Sequence, residues 1–121
     1  MNKFALVILV LLTAQAGRAA TYSCIPQEKS FVSEEIILTV HAKSASYKYS
    51  SDLNTICKAT FDHVIESSGK TKYSVSNCGA DTYLTLSENF GQGEGKVAGY
   101  ARLDNYEEGG YFPSNFKCTE Q

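Results

Sequence analysis

The chain holds 121 residues, 11 of them Lys or Arg and 13 Asp or Glu, for a formal net charge of −2. That length suits one domain, and the charge, with lysines scattered singly, leaves no basic stripe to follow a nucleic-acid backbone, so nucleic acid is excluded as a partner. Eight tyrosines and no tryptophan set the aromatic character of whatever surface the fold exposes.

The first element is a leader. Lys3 precedes an apolar run from Phe4 to Leu12, followed by small residues with cleavage sites after Ala16 (A-Q-A) and Ala19 (G-R-A), the build of a secretory signal peptide. The run is too short to span a bilayer, and no second hydrophobic segment follows, so no transmembrane anchor is expected. Cutting after Ala19 leaves residues 20–121 as a single domain of 102 residues (121 minus 19). It also removes Lys3 and Arg18, taking the charge from −2 to −4. A domain of this size buries only about 60 to 70% of its unfolded surface, so cross-links add substantially to its stability. Cys24, Cys57, Cys78 and Cys118 all lie in the mature part, and an even count in an exported chain predicts two disulfides in the periplasm or extracellular space. No C-x-x-C pair occurs, which argues against a structural zinc site and against thioredoxin-type redox chemistry.

In the mature chain apolar residues recur with period two, and they are β-branched or aromatic, so strands are predicted throughout. Tyr22-Ser23-Cys24 opens the domain. Ile36 to Ala42 follows, with Ile36, Leu38, Val40 and Ala42 on one face. Further strands are predicted over 46–49, 56–65, 71–76, 82–86, 96–103 and 111–118. Turn signals separate them at Ser50-Ser51-Asp52, Ser67-Ser68-Gly69, Gly79-Ala80-Asp81, Gly91 to Gly95 and Glu107 to Gly110. Only Phe31 to Glu35 has the composition of a short helix. The expected fold is all-β, a small antiparallel β-sandwich or barrel formed by a meander of seven or eight short strands and stapled by two disulfides.

The hairpin around Ser67-Ser68-Gly69 constrains the disulfides. A three-residue loop with Gly69 in the left-handed conformation pairs Phe61 with Val75, His63 with Tyr73 and Ile65 with Thr71, matching apolar and aromatic partners. A four-residue loop sets Cys57 opposite Cys78 but pairs Phe61 with Ser74. A β-bulge between Tyr73 and Cys78 reconciles the two, keeping the matched pairs and bringing Cys57 to Cys78. Cys24 and Cys118 then pair by elimination, as neighbouring first and last strands would allow. Four cysteines permit three connectivities, and Cys24 to Cys57 with Cys78 to Cys118 stays open.

The residues with catalytic chemistry are few. His41 and His63 are the only histidines, no G-x-S-x-G setting accompanies them, and Asp62 and His63, as strand neighbours, should point to opposite faces. Gly91-Gln92-Gly93-Glu94-Gly95-Lys96-Val97 lacks the first glycine and the final hydroxyl of a phosphate loop. Asp104, Glu107 and Glu108 cluster without the ligand alternation of a calcium loop. Neither a metal nor a cofactor is expected, nor an enzyme. Tyrosines on strand surfaces form recognition faces, and the segment from Tyr100 to Phe112, with Tyr100, Tyr106 and Tyr111, is the first place to expect one.

An exported domain that starts with Y-S-C, ends with F-K-C and consists of a strand meander is similar in outline to the bacterial membrane-bound and periplasmic inhibitors of C-type lysozyme. Their S-G-x-x-Y motif is matched here by Ser68-Gly69-Lys70-Thr71-Lys72-Tyr73, with one residue more before the tyrosine. Their second, lysine-glycine motif has no counterpart, since Gly95-Lys96 reverses the order. The resemblance implies a hairpin tip, Ser68 to Tyr73, that inserts into a hydrolase cleft. The sequence therefore points to a non-enzymatic exported module that binds an envelope or host protein or a glycan through Ser68, Gly69, Tyr73, Tyr100, Tyr106 and Tyr111. The alternatives are a periplasmic inhibitor of a lysozyme-type hydrolase, a small-ligand carrier and a small hydrolase using His41 or His63.

Overall fold

Alternation of inward and outward side chains resolves into eight strands in a computed structural model. They are β1 (Ala20–Pro26), β2 (Ile36–Val40), β3 (Ser44–Tyr49), β4 (Asp52–Ile65), β5 (Lys70–Val75), β6 (Thr82–Leu86), β7 (Val97–Glu107) and β8 (Gly110–Glu120). The structure describes residues 19–79, 81–92 and 96–121; residues 1–18, which fall in the expected signal peptide, Ala80 of the expected Gly79-Ala80-Asp81 turn and the middle of the glycine-rich loop lie outside the described residues. The strands form an antiparallel meander that closes into a barrel when β8 pairs with β1. Closure gives every strand a neighbour on each side. Among the described residues no helix is long and apolar enough to cross a membrane.

Eight strands enclose a space just wide enough to be filled by side chains, and here they fill it. Ile36, Leu38, Tyr47, Leu84, Leu103 and Phe116 are each 0 or 1% exposed. Complete burial of such a side chain contributes about 1.5 to 3 kcal/mol. Cys24–Cys118 and Cys57–Cys78 are the disulfides, the connectivity expected from the hairpin register and elimination. Two such bonds are typical of proteins in oxidising, extracellular or periplasmic compartments.

Each end of the barrel is covered. At one end residues 27–35 form a strap rather than the expected helical turn. Its backbone amides are taken up by β8: Gln27 N donates to Asn115 O at 2.8 Å, Phe31 N to Pro113 O at 3.1 Å, and Val32 N to the buried Ser114 Oγ at 2.8 Å. Those bonds replace helical ones, a turn at Glu28-Lys29 with Lys29 at φ of 65° lies between them, and Val32 packs against the core. At the other end the turn after β6 places Phe90 edge-on to Tyr22, with centroids 4.9 Å apart.

The β4–β5 register differs from the expected one. The loop is four residues long, Ile65 pairing with Lys70, and the bulge lies in β4 at Asp62 rather than in β5. Phe61 consequently faces Tyr73 and Ala59 faces Val75. The bulge also breaks strand alternation, so Asp62 Oδ1 lies 3.6 Å from His63 Nδ1, against the expectation that the two point apart. Both side chains are exposed, a surface contact. The β7–β8 hairpin is longer than its sequence suggested. Pairing continues to Glu107 and Gly110, so Asp104 to Glu107 belong to a strand, and only Glu108 and Gly109 form the turn.

Candidate functional site

The barrel sorts the tyrosines into two classes. Tyr22, Tyr47 and Tyr73 point inward and are at most 5% exposed, whereas Tyr100, Tyr106 and Tyr111 point outward at 48, 46 and 42%. The difference follows from the pleat, since alternate residues face opposite sides. Tyr106 and Tyr111 are directly opposed on β7 and β8. Their rings stack, with centroids 4.9 Å apart and an interplanar angle of 25°. Tyr83 on β6 meets Tyr106 edge-on at 6.1 Å, and Lys72 Nζ on β5 lies 4.3 Å from the Tyr83 centroid. A cation above a tyrosine face is attracted by the ring quadrupole.

A polar network fixes this aromatic group. Arg102 Nε donates to Asp104 Oδ1 at 2.8 Å. Arg102 Nη2 also donates to the Tyr111 hydroxyl, which in turn donates to Asp104 Oδ1. Asp104 holds the Tyr111 proton, pushing that phenol above its ordinary value, and with Tyr111 keeps the Arg102 guanidinium charged. Beside the network, Lys70, Thr85, Ser87, Tyr100, Arg102 and Asn115 outline a shallow recess of about 100 Å³.

The hairpin tip is placed differently. Gly69 closes the turn with φ of 67° and its amide donates to Ile65 O at 2.8 Å. A side chain there would press against Glu88. Ser68 sits in the same turn, its amide donating to Ile65 O at 3.1 Å. Tyr73, by contrast, is 4% exposed in the barrel wall, where Phe61 meets it edge-on at 6.3 Å. The tip thus brings Ser68 and Gly69 together and turns Tyr73 away. A second hollow of about 310 Å³ opens at this end, bordered by His41, Gly69, Tyr73 and Phe90.

Asp104 is engaged by Arg102 and Tyr111, and strand alternation separates it from Glu107. Among the described residues no three His, Cys, Asp or Glu side chains are placed to hold a metal ion. The sequence pattern alone did not mark Lys72, Tyr83, Arg102 and Asp104 as members of the tyrosine face. For Arg102 and Asp104 the signal is the period-two spacing 102, 104, 106 on β7, visible only once the strand is known to run through the acidic stretch; Lys72 and Tyr83 join the face through the pairing of β5 to β6 and β6 to β7. Comparison of the chain with protein-family models, curated proteins and solved structures finds no match.

Proposed function

We propose that the protein is a non-enzymatic exported domain that binds another macromolecule through the outer face of β5 to β8. The observation that carries this reading is the Tyr106–Tyr111 pair. Both rings are stacked and close to half exposed, and Tyr111 is held by Arg102 and Asp104. Aromatic side chains already fixed in place lose little conformational freedom when a partner docks, which is how rigid tyrosines serve recognition surfaces. The buried position of Tyr73 favours this face over the hairpin tip as the contact surface.

The test compares the oxidised mature domain with Tyr106→Ala/Tyr111→Ala and with a control, Lys48→Ala on the opposite wall. Each is incubated with envelope and exopolymer material from the producing cells and sedimented after its melting temperature has been checked. The paired tyrosine variant should lose roughly tenfold or more of its co-sedimentation, with the control unchanged. Equal co-sedimentation of all three proteins would refute the proposal.

A further inference from the structure

The same face carries a charge pattern that the chain as a whole does not. One outward row, Lys72-Thr85-Arg102-Asn115, crosses the four strands, and beside it lie Lys70, Ser87 just beyond β6, Tyr100, and Lys117 opposite Tyr100. A second row, Ser74-Tyr83-Asp104-Pro113, contributes the one carboxylate. Four cations against one anion leave this set of residues at +3 (4 minus 1) on a chain of net charge −2. Asp104 is already paired with Arg102, and among the described residues Lys70, Lys72 and Lys117 form no salt bridge. Like charges gathered on neighbouring strands repel, so folding alone gives no reason for the arrangement.

The recess lies between the cationic row and the residues beside it. Its rim offers the Lys70 ammonium, the Arg102 guanidinium, the Thr85 and Ser87 hydroxyls and the Asn115 amide, a set rich in hydrogen-bond donors. The recess is small, about 100 Å³, and open to solvent, a shape that suits one oxyanion group seated among its donors. Charge-assisted bonds from Lys and Arg are the strong ones for such a group. Tyr100 stands on its rim, and the Tyr106–Tyr111 stack adjoins it through the bond from Arg102 to the Tyr111 hydroxyl.

We infer that this face binds an anionic glycan, seating one carboxylate or sulfate in the recess between Lys70 and Arg102 and resting the adjoining sugar rings on the exposed tyrosines. The inference rests on the binding reading above and names its ligand class. Aromatic rings with electron-rich faces suit the C–H surface of a pyranose. An acidic peptide would gain most by adding a strand to an open edge, whereas the cationic residues span β5 to β8, each of which already has a neighbouring strand on both sides. A single-stranded nucleic acid would stack bases between rings, but Tyr106 and Tyr111 already stack on each other.

The experiment titrates the oxidised mature domain with polygalacturonate, dextran sulfate, neutral dextran, polyglutamate and oligothymidylate, following intrinsic tyrosine fluorescence. At least one of the two anionic polysaccharides should bind, with polyglutamate, oligothymidylate and neutral dextran about tenfold weaker or more. Lys70→Glu/Lys117→Glu, with an unchanged melting temperature, should weaken polysaccharide binding about tenfold or more, and Tyr106→Ala should do likewise. Preference for polygalacturonate assigns a carboxylate to the recess, and preference for dextran sulfate a sulfate. Polyglutamate or oligothymidylate binding as tightly as the polysaccharides, or no polysaccharide binding, would overturn the assignment. If no polysaccharide binds but the paired tyrosine variant still loses co-sedimentation with envelope material, the ligand class fails and the binding reading stands. If polysaccharide binds but the paired tyrosine variant co-sediments like the parent, the ligand class stands and the envelope-binding reading fails.

Discussion

Cys24 and Cys118 are directly opposed across the β1–β8 seam, their Cα atoms 4.0 Å apart, and the disulfide between them locks the barrel shut at positions 94 residues apart in sequence. Cys57 and Cys78 span only 21 residues. In the chain-entropy account the longer closure stabilises by about 4.7 kcal/mol and the shorter by about 3.3 kcal/mol. Urea denaturation should therefore show Cys24→Ala/Cys118→Ala losing more stability than Cys57→Ala/Cys78→Ala, by about 1 kcal/mol. The opposite order would mean that the seam holds through its backbone ladder and not through the bond.

The disulfides were legible because Cys24, Cys57 and Cys118 sit in strands whose pairing partners the sequence pattern indicates, and Cys78 follows β5 closely enough to reach Cys57. The same alternation separates inward Leu84 and Leu103 from outward Tyr83 and Asp104. What escaped depends on partners distant in sequence. The strap over 27–35 forms no helix because its Gln27, Phe31 and Val32 amides bond to β8 acceptors more than 80 residues away, which no local pattern encodes. The bulge at Asp62 replaces the one expected in β5 because Asn77, just before Cys78, takes over strand pairing. Its side chain accepts from Lys58 N and donates to Ile56 O, both at 2.8 Å. The tyrosine face was half visible. Tyr100, Tyr106 and Tyr111 stood out by residue type and Arg102 fell in the predicted strand over 96–103, but Asp104 grouped with the acidic residues Glu107 and Glu108, and only the pairing that continues to Gly110 puts it on the tyrosine face.

Gly99 and Gly109 both adopt positive φ, 153° and 104°, yet their surroundings differ. A Cβ on Gly99, at the β7 bulge, would lie 2.7 Å from Phe90 Cδ2 and from Ser87 Oγ, whereas at Gly109 nothing comes within 4 Å. Gly109→Ala should cost only the backbone strain, about 1 to 3 kcal/mol. Gly99→Ala should add an overpacking penalty of about 1 to 3 kcal/mol. Equal midpoints in denaturant would show that Phe90 moves aside freely.

Glu34 anchors the end of the strap to the β3–β4 turn. It accepts from Ser51 Oγ at 2.9 Å, Ser51 N at 3.0 Å and Ser50 Oγ at 3.2 Å, and the Ser51 hydroxyl is the chief cause of its lowered pKa. A carboxyl depressed in the folded state stabilises above the pH at which the unfolded carboxyl titrates, and that contribution disappears as pH falls through the folded value. Glu34→Gln should therefore melt lower than the parent at neutral pH, with the gap closing below about pH 4. A gap that persists in acid would assign the effect to lost geometry instead of charge.

Tyr47 is 1% exposed, and its hydroxyl makes no hydrogen bond; the nearby Tyr49 hydroxyl influences it without meeting it at bonding geometry. Burial raises the pKa of Tyr47, and it is also the largest cause of the upward shifts of Tyr22 and Tyr73. Because the folded values exceed the unfolded value of 10.0, the stabilisation these phenols give is complete below that pH and is lost as pH rises beyond it. Alkaline unfolding should accordingly coincide with a steep rise in phenolate absorbance. Tyr47→Phe separates the two costs of this residue. It removes an unpartnered buried hydroxyl, so stability at neutral pH should rise by up to about 1 kcal/mol. It also removes one phenol that ionises on unfolding, so the alkaline transition should move to higher pH. A loss of about 1 kcal/mol or more would instead be the signature of a broken hydrogen bond, placing a partner on the Tyr47 hydroxyl inside the barrel.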